Sequence, residues 1–310
     1  MKYLDYERYR RWAADRFSKA AGGPSLFAEY IDVVRFFGER ALDLRSVTVE
    51  YETTPFALTD PIIRDYAEEI AARMTVESRL RPGPPVMKLV GYNFAATPGR
   101  LIVRPCDYRL QAGTCLAMDL PHHAFVDYGG TLRGYYRHDC PNPTVENNPL
   151  AICLGVCGYL LVEEQGQRFL LQIERSENLA SLEGEWGPSV AGVVDYADSY
   201  CTLDDLVRGA LGAELAEELG LGPDEYEIVP LAWAIELFRG ERPQVFCLVR
   251  TSLGREEVTA HLEAVDPTHR EFKSYQFIPH IRDAAPDNEP FGPLNFEARM
   301  NLVLLNEKLG

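Results

Sequence analysis

GAELAEELGL, Gly212 to Leu221, decides how this chain is read. Side chains three and four residues apart on a helix are neighbours, so Glu214, Glu217 and Glu218 share one side of the segment. Three like charges this close repel by roughly 0.2–0.5 kcal/mol per exposed pair. They stand in the last turn before Gly220, where the helix dipole favours cations instead. Upstream, Leu203, Leu206, Val207, Ala210 and Leu211 form an apolar stripe. A helix running unbroken to Leu219 would bring the glutamates near that stripe, where unpaired carboxylates are costly. A hard divalent cation with oxygen ligands would resolve both problems. Gly209 and Gly212 keep a second reading open. A kink there would rotate the last turns outward and leave a solvated acidic helix end capped by Gly220.

The rest of the chain narrows the setting. Its 310 residues suffice for one large domain or two ordinary ones. The formal net charge of −16 and the lack of any Lys/Arg run argue against nucleic acid or an anionic membrane as partner. An acidic protein can still take a phosphorylated small molecule when divalent cations mediate the contact. No apolar run reaches the roughly 18 residues that span a bilayer, and the amphipathic start, MKYLDYERYRRWAADRF, lacks an apolar signal core. Seven cysteines, an odd number, favour a reducing, cytoplasmic setting. Cys153 and Cys157 are expected on one face of a buried strand, not as metal ligands.

Punctuation by Pro and Gly divides the chain into two parts. The first eighty residues read as helices over Asp5–Ala20, Leu26–Leu42 and Pro61 to about Arg79, with a short strand, SVTVEY, between the last two. After the break at RPGPP, 81–85, come the β-like runs VMKLVGYN, RLIVRPCDY and GTCLAMDL. The polar segment His138–Pro149 is the expected boundary between an α+β N-terminal domain, 1–148, and a second domain, 149–310. In the second, AICLGVCGYLLV, GQRFLLQIERS and GPSVAGVVDY read as strands and TLDDLVRGALGAELAEEL as a helix. YEIVPLAWAIELF, PQVFCLVRTSL and REFKSYQFIPH read as further strands, before an amphipathic closing helix, FEARMNLVLLNEKL. That order suggests a mixed sheet covered by helices on two faces, in an α+β protein overall.

ELAEELGL, with GVVDYAD upstream, resembles the box of the Nudix family, G-x5-E-x7-R-E-U-x-E-E-x-G-U, where U is aliphatic. Glu214, Leu215, Glu217, Glu218, Gly220 and Leu221 match its second half, and Gly192 matches its opening glycine. Asp198 stands six residues later, where the family has glutamate. Two features depart from the pattern. Ala213 occupies the arginine position, and residues 199–212 form a spacer twice the family's seven. The excess amounts to about two helical turns, so helix and sheet can keep their relation. In the family the arginine orients the glutamates; Arg208 is a candidate substitute.

The resemblance implies a mixed sheet between helices, an α/β/α sandwich. It also implies a hydrolase acting with Mg2+ or Mn2+ on a phosphoanhydride, such as a nucleoside diphosphate linked to another group. Glu214, Glu217, Glu218 and the carbonyl of Gly192 would ligate the metal. Glu217 or Glu218 would activate water, with Glu236 an acidic candidate from outside the box. Arg175, Arg239 and Arg242 are candidates for phosphate and Trp186 or Trp233 for stacking on a base; Tyr92 and Tyr108 would reach a ligand lying between the two parts. Two rivals stand beside this reading: a non-catalytic Nudix-like sensor or scaffold, and isomerase chemistry through Cys115, His122 and His123. The N-terminal half would shape substrate choice, cover the site or form a homodimer contact.

Overall fold

The computed structural model describes residues 3–5, 9, 30–80, 82–139, 145–176, 179, 182–266, 270–280 and 294–309. In chain order the elements are β1 (Tyr30–Arg35), β2 (Val47–Tyr51), α1 (Pro61–Val76), β3 (Val86–Asn93), β4 (Gly99–Cys106), α2 (Tyr108–Gly113) and α3 (Leu132–Asp139). They continue with β5 (Gly155–Glu164), β6 (Gln167–Arg175), β7 (Trp186–Gly187), β8 (Val190–Val193), α4 (Leu203–Leu219), β9 (Tyr226–Glu236), β10 (Arg242–Thr251), α5 (Arg255–Ala264), β11 (Phe272–Pro279) and α6 (Phe296–Leu309).

The large sheet has the order β1-β9-β10-β5-β6-β11, with β7 on β6 and β8 on β5. Only β10 and β5 run parallel in it; the other pairs are antiparallel. Successive side chains of a strand point to opposite faces, and the central strands are apolar on both. In β5, Val156, Leu160 and Val162 enter one buried cluster while Cys157, Tyr159 and Leu161 enter another. In β10, Val245, Cys247 and Val249 face the first cluster and Phe246 and Leu248 the second. The α4 stripe of Leu206, Val207, Leu211 and Leu215 covers the first face. Phe296, Met300, Leu304 and Leu305 of α6 cover the other. The mixed sheet between helices is therefore as the sequence reading expects.

A second sheet, ordered β2-β4-β3, comes from the first half. It does not stand apart. The Met87 amide donates to the Val194 carbonyl at 2.8 Å, and the Leu154 amide donates to the Met87 carbonyl at 2.8 Å. One cluster of buried side chains contains Leu89 and Leu101 together with Leu160 and Val245. In addition, β1 forms the edge of the large sheet by pairing with β9. The apolar core thus continues across positions 148 and 149.

Several local expectations change. The helix expected over Leu26–Leu42 is replaced, in its described part, by strand β1. Its YIDVVR is rich in β-branched residues, and pairing with β9 outweighs a weak helical period. The helix expected over Asp5–Ala20 lies almost wholly outside the described residues. GTCLAMDL is not a strand: α2 ends at Gly113 and turns follow. Short apolar runs do not by themselves distinguish strand from buried turn. Helix α5 went unpredicted. Cys153 and Cys157 are both buried but lie in different clusters, because Cys153 precedes the strand. No helix among the described residues is long and apolar enough to cross a membrane.

Candidate active site

Helix α4 runs unbroken through Gly209 and Gly212. It begins in a capping box between Thr202 and Asp205 and ends at Gly220, whose φ of 69° gives the left-handed cap. With about 100° per residue, the stripe of Leu211 and Leu215 fixes how far each glutamate turns inward. Glu218 lies closest to the stripe and is only 4% exposed. Glu214 stands at its flank, half-buried, and Glu217 turns to solvent. The kinked alternative is excluded, yet the three glutamates do not behave alike.

Strand β8 supplies the surface against which Glu214 rests. Gly192 pairs with Val156 of β5, and a Cβ at position 192 would collide with Glu214 Oε1. Glycine is needed here for close approach, not for an unusual φ. The Gly192 carbonyl, expected as a metal ligand, accepts a hydrogen bond from Arg242 Nη2 at 3.4 Å.

The electrostatics follow from this packing. Burial first, then Glu271, Glu217 and Asp195, push the Glu214 carboxyl up to about 8. Burial, with Glu271 and Glu214, pushes Glu218 well above the usual range. Arg175 of β6 opposes both shifts, and the Ala191 amide also favours ionised Glu218. Arg175 therefore faces the two carboxylates from a strand, whereas the resemblance placed the arginine on the helix. Arg208 is engaged elsewhere, with Asp204 at 3.0 Å and the Ile228 carbonyl at 2.9 Å. Arg175 is 9% exposed, and its Nε has no hydrogen-bond partner.

Glu214 and Arg175 line a cavity of about 220 Å³. Arg239, Arg242, Glu271 and Glu297 line it too, and Tyr108 and Gln111 of α2 close it from the first half of the chain. Tyr108 was a candidate from sequence; Gln111 was missed, since a lone glutamine carries no motif. Trp186 is half-buried in β7 and does not line this cavity, and Tyr92 packs on Trp233 and donates to Asp32 at 2.8 Å.

Beneath the cavity lies a buried ion network. Arg239 Nε donates to Glu236 Oε2 at 2.6 Å, its backbone amide to Glu236 Oε1 at 2.7 Å, and its Nη2 to Glu297 Oε1 at 2.5 Å. Arg242 Nη1 stands 3.6 Å from the same Glu297 oxygen. Burial alone would raise Glu297, but Arg239 and Arg242 hold it below the usual carboxylate range. Glu236, the candidate acid from outside the box, is fully buried with both oxygens engaged by Arg239, so the structure gives it a bracing position. Arg239 lies in the turn between β9 and β10, as the sequence suggested, but it is 3% exposed and doubly paired instead of standing at the surface.

Among the described residues, no group of three or more His, Cys, Asp and Glu side chains is arranged to hold a metal ion. The expected trio is reduced to a pair, Glu214 and Glu218, because Glu217 points outward. That pair retains one signature of a ligand: Glu218 Oε2 is buried with no hydrogen-bond partner. Mg2+ is commonly held by one or two carboxylates, with substrate phosphates and water completing its shell. The residues thus fit a cation shared with a phosphorylated ligand and do not form a closed protein cage. The Cys115 constellation does not assemble for isomerase chemistry. Burial pushes that thiol up to about 12, its Sγ contacts the Ala151 carbonyl, and His122 pairs with Glu69 at 3.1 Å.

No family model matches the chain, and no curated protein matches it with significance. Solved structures of Nudix-type proteins do match about half of it. A MutT/nudix family protein from Listeria innocua is 18% identical over 51% of this chain and 93% of its own, with a TM-score of 0.35. The NUDIX domain of Shewanella oneidensis NrtR, solved with ADP ribose, is 19% identical over 52% of this chain and 90% of its own, at 0.33. An Ap4A hydrolase from C. elegans, solved as a binary complex, is 13% identical over 51% of this chain and 96% of its own, at 0.33. Likeness of this size carries no weight for activity, and the functional reading rests on the geometry of α4, β6 and β8.

Proposed function

We propose that this chain is a Nudix-type hydrolase of a phosphoanhydride, most simply a nucleoside diphosphate linked to another group, acting with Mg2+ or Mn2+ in a reducing, cytoplasmic compartment. The observation that carries the proposal is the Glu214–Glu218 pair faced by Arg175, with Glu214 packed on Gly192 at the edge of the cavity. Two inward carboxylates are a costly arrangement unless a cation or proton answers them. Glu214 and Glu218 would hold the divalent ion together with phosphate oxygens of the substrate. When bound, the ion supplies charge neutralisation and a lowered pKa for water.

The protein side of the reaction falls to three groups. Arg175, with its unpartnered Nε, orients an anionic phosphate at the cavity wall. Glu214, whose carboxyl burial pushes up to about 8 in the metal-free protein, reaches the cavity and would give up its proton to take the cation. Arg239 and Arg242, fixed by Glu236 and Glu297, give the cavity a rigid wall whose charges are internally paired.

A second reading is favoured by one observation, the outward Glu217 and the lack of a three-carboxylate group. It is a site that binds such a ligand without turnover. Phosphate release from a panel of nucleoside diphosphate derivatives with Mg2+ or Mn2+ separates the two. Turnover abolished by Glu218→Gln supports hydrolysis. Tight binding with no turnover for any compound removes the hydrolase proposal in favour of sensing.

A further inference from the structure

Gln111 is fully buried in α2, and neither atom of its side-chain amide has a hydrogen-bond partner. Burying an unpartnered amide is costly, and this one borders the cavity that Glu214 and Arg175 also line. The residue is also well fixed. Its backbone carbonyl accepts from the Thr114 and Leu116 amides, each at 3.2 Å. Gly113 lies so close to the backbone of Ala67 in α1 that a Cβ would collide with the Ala67 carbonyl. A rigid element therefore presents one donor, Nε2, and one acceptor, Oε1, at the wall of a ligand site.

That pair selects among ligands. Phosphate oxygens offer only acceptors and leave Oε1 unanswered. The edge of a nucleobase carries a donor beside an acceptor in one plane, the pattern a glutamine amide meets with two bonds. The flanking wall also suits a flat ring. Tyr108 and Leu116 line the same cavity, giving an aromatic and an aliphatic surface on which a base can stack. Sugar hydroxyls match neither surface.

We propose that Gln111, contributed by the first half of the chain, is the specificity-determining residue of the site, reading the hydrogen-bonding edge of a nucleobase. The inference rests on the cavity being a phosphate-ligand site, but not on turnover. It gives the first half a defined role in substrate choice.

The test is calorimetric titration of the full chain, with Mg2+ present, using ADP, purine riboside 5′-diphosphate, ribose 5-phosphate and inorganic pyrophosphate. Purine riboside keeps the ring and lacks the exocyclic donor. The wild-type protein is expected to bind ADP about tenfold tighter than the purine riboside or pyrophosphate, the effect of one good buried hydrogen bond. Gln111→Met is expected to lose about tenfold in ADP affinity, to leave pyrophosphate affinity unchanged, and to melt no lower than wild type.

Equal wild-type affinity for ADP and pyrophosphate overturns the inference. So does a Gln111→Met variant that binds ADP normally, or one that unfolds, since the amide would then be a structural residue. Ribose 5-phosphate binding as tightly as ADP also overturns it, by assigning the contact to the sugar. The two proposals fail separately. Gln111-dependent ADP binding without turnover removes hydrolysis and leaves this inference standing; turnover with no effect of Gln111→Met does the reverse.

Discussion

The carboxylate of Glu214 rests on the Cα of Gly192, with no room between them for a Cβ. This contact couples α4 to β8 where the α4 carboxylate reaches the cavity. Gly192→Ala is expected to push Glu214 off the strand, cost roughly 1–3 kcal/mol as overpacking does, and abolish turnover. Denaturant titration and a phosphate-release assay check both parts. An active, fully stable Gly192→Ala protein would show that Glu214 does not need this seat.

The raised carboxyls give the metal-free protein a pH dependence of definite sign. Glu214 titrates near 8 when folded and near 4.5 when unfolded. Between those values the folded state binds more protons, so stability falls as pH rises. The contribution is complete below about pH 4.5 and lost by about pH 8, with a slope of at most roughly 1.4 kcal/mol per pH unit. Glu218 acts in the same direction. Glu214→Gln should therefore gain on wild type as pH rises across this window, in urea melts run with a chelator. A constant difference from pH 5 to 8 would mean that Glu214 is not buried as described.

How much of this was legible in the sequence depends on the residue. The apolar stripe of α4 and the capping glycine at 220 follow from spacing, and so does the sheet with helices on both faces. The separation of Glu217 from Glu218 is implicit in the same 100° arithmetic, which places Glu218 nearest Leu211 and Leu215; treating the trio as one face lost it. Arg175 was named as a phosphate contact, but its approach to Glu214 and Glu218 depends on the pairing of β6, β5 and β8, a tertiary fact. Gln111 left no signal, because a glutamine in a short helix means nothing until the cavity beside it is known. The strand β1 was misread because its partner β9 lies about two hundred residues away.

Arg175 is the cation that faces both buried carboxylates. Arg175→Met removes the influence that lowers them, so Glu214 should titrate above its present value of about 8. In the chelator-treated protein, the midpoint that Glu214 contributes to the pH dependence of stability is expected to move upward. Affinity for pyrophosphate should drop about tenfold with the lost charge-assisted contact. Arg175→Lys should restore the midpoint more than the affinity, since it returns charge without the planar fork. A pH profile unchanged in Arg175→Met would separate Arg175 from the pair and remove it from the mechanism.

Glu236 and Glu297 distinguish bracing from chemistry. Both lie in the Arg239–Arg242 network, and removing one partner of a buried ion pair costs about 3–5 kcal/mol because a charge is left unanswered. Glu297→Gln is expected to cost the most, as its carboxylate serves Arg239 at 2.5 Å and Arg242 at 3.6 Å. Glu236→Gln removes the direct ion pair with Arg239 and only a longer-range interaction with Arg242, and should destabilise less. Under conditions where it remains folded, it should keep the pH–rate profile of wild type, because neither Glu236 oxygen is free for a proton in flight. Chemical denaturation of both variants, with rates normalised to folded protein, decides the matter. A Glu236→Gln enzyme of undiminished stability and no turnover would make Glu236 the base.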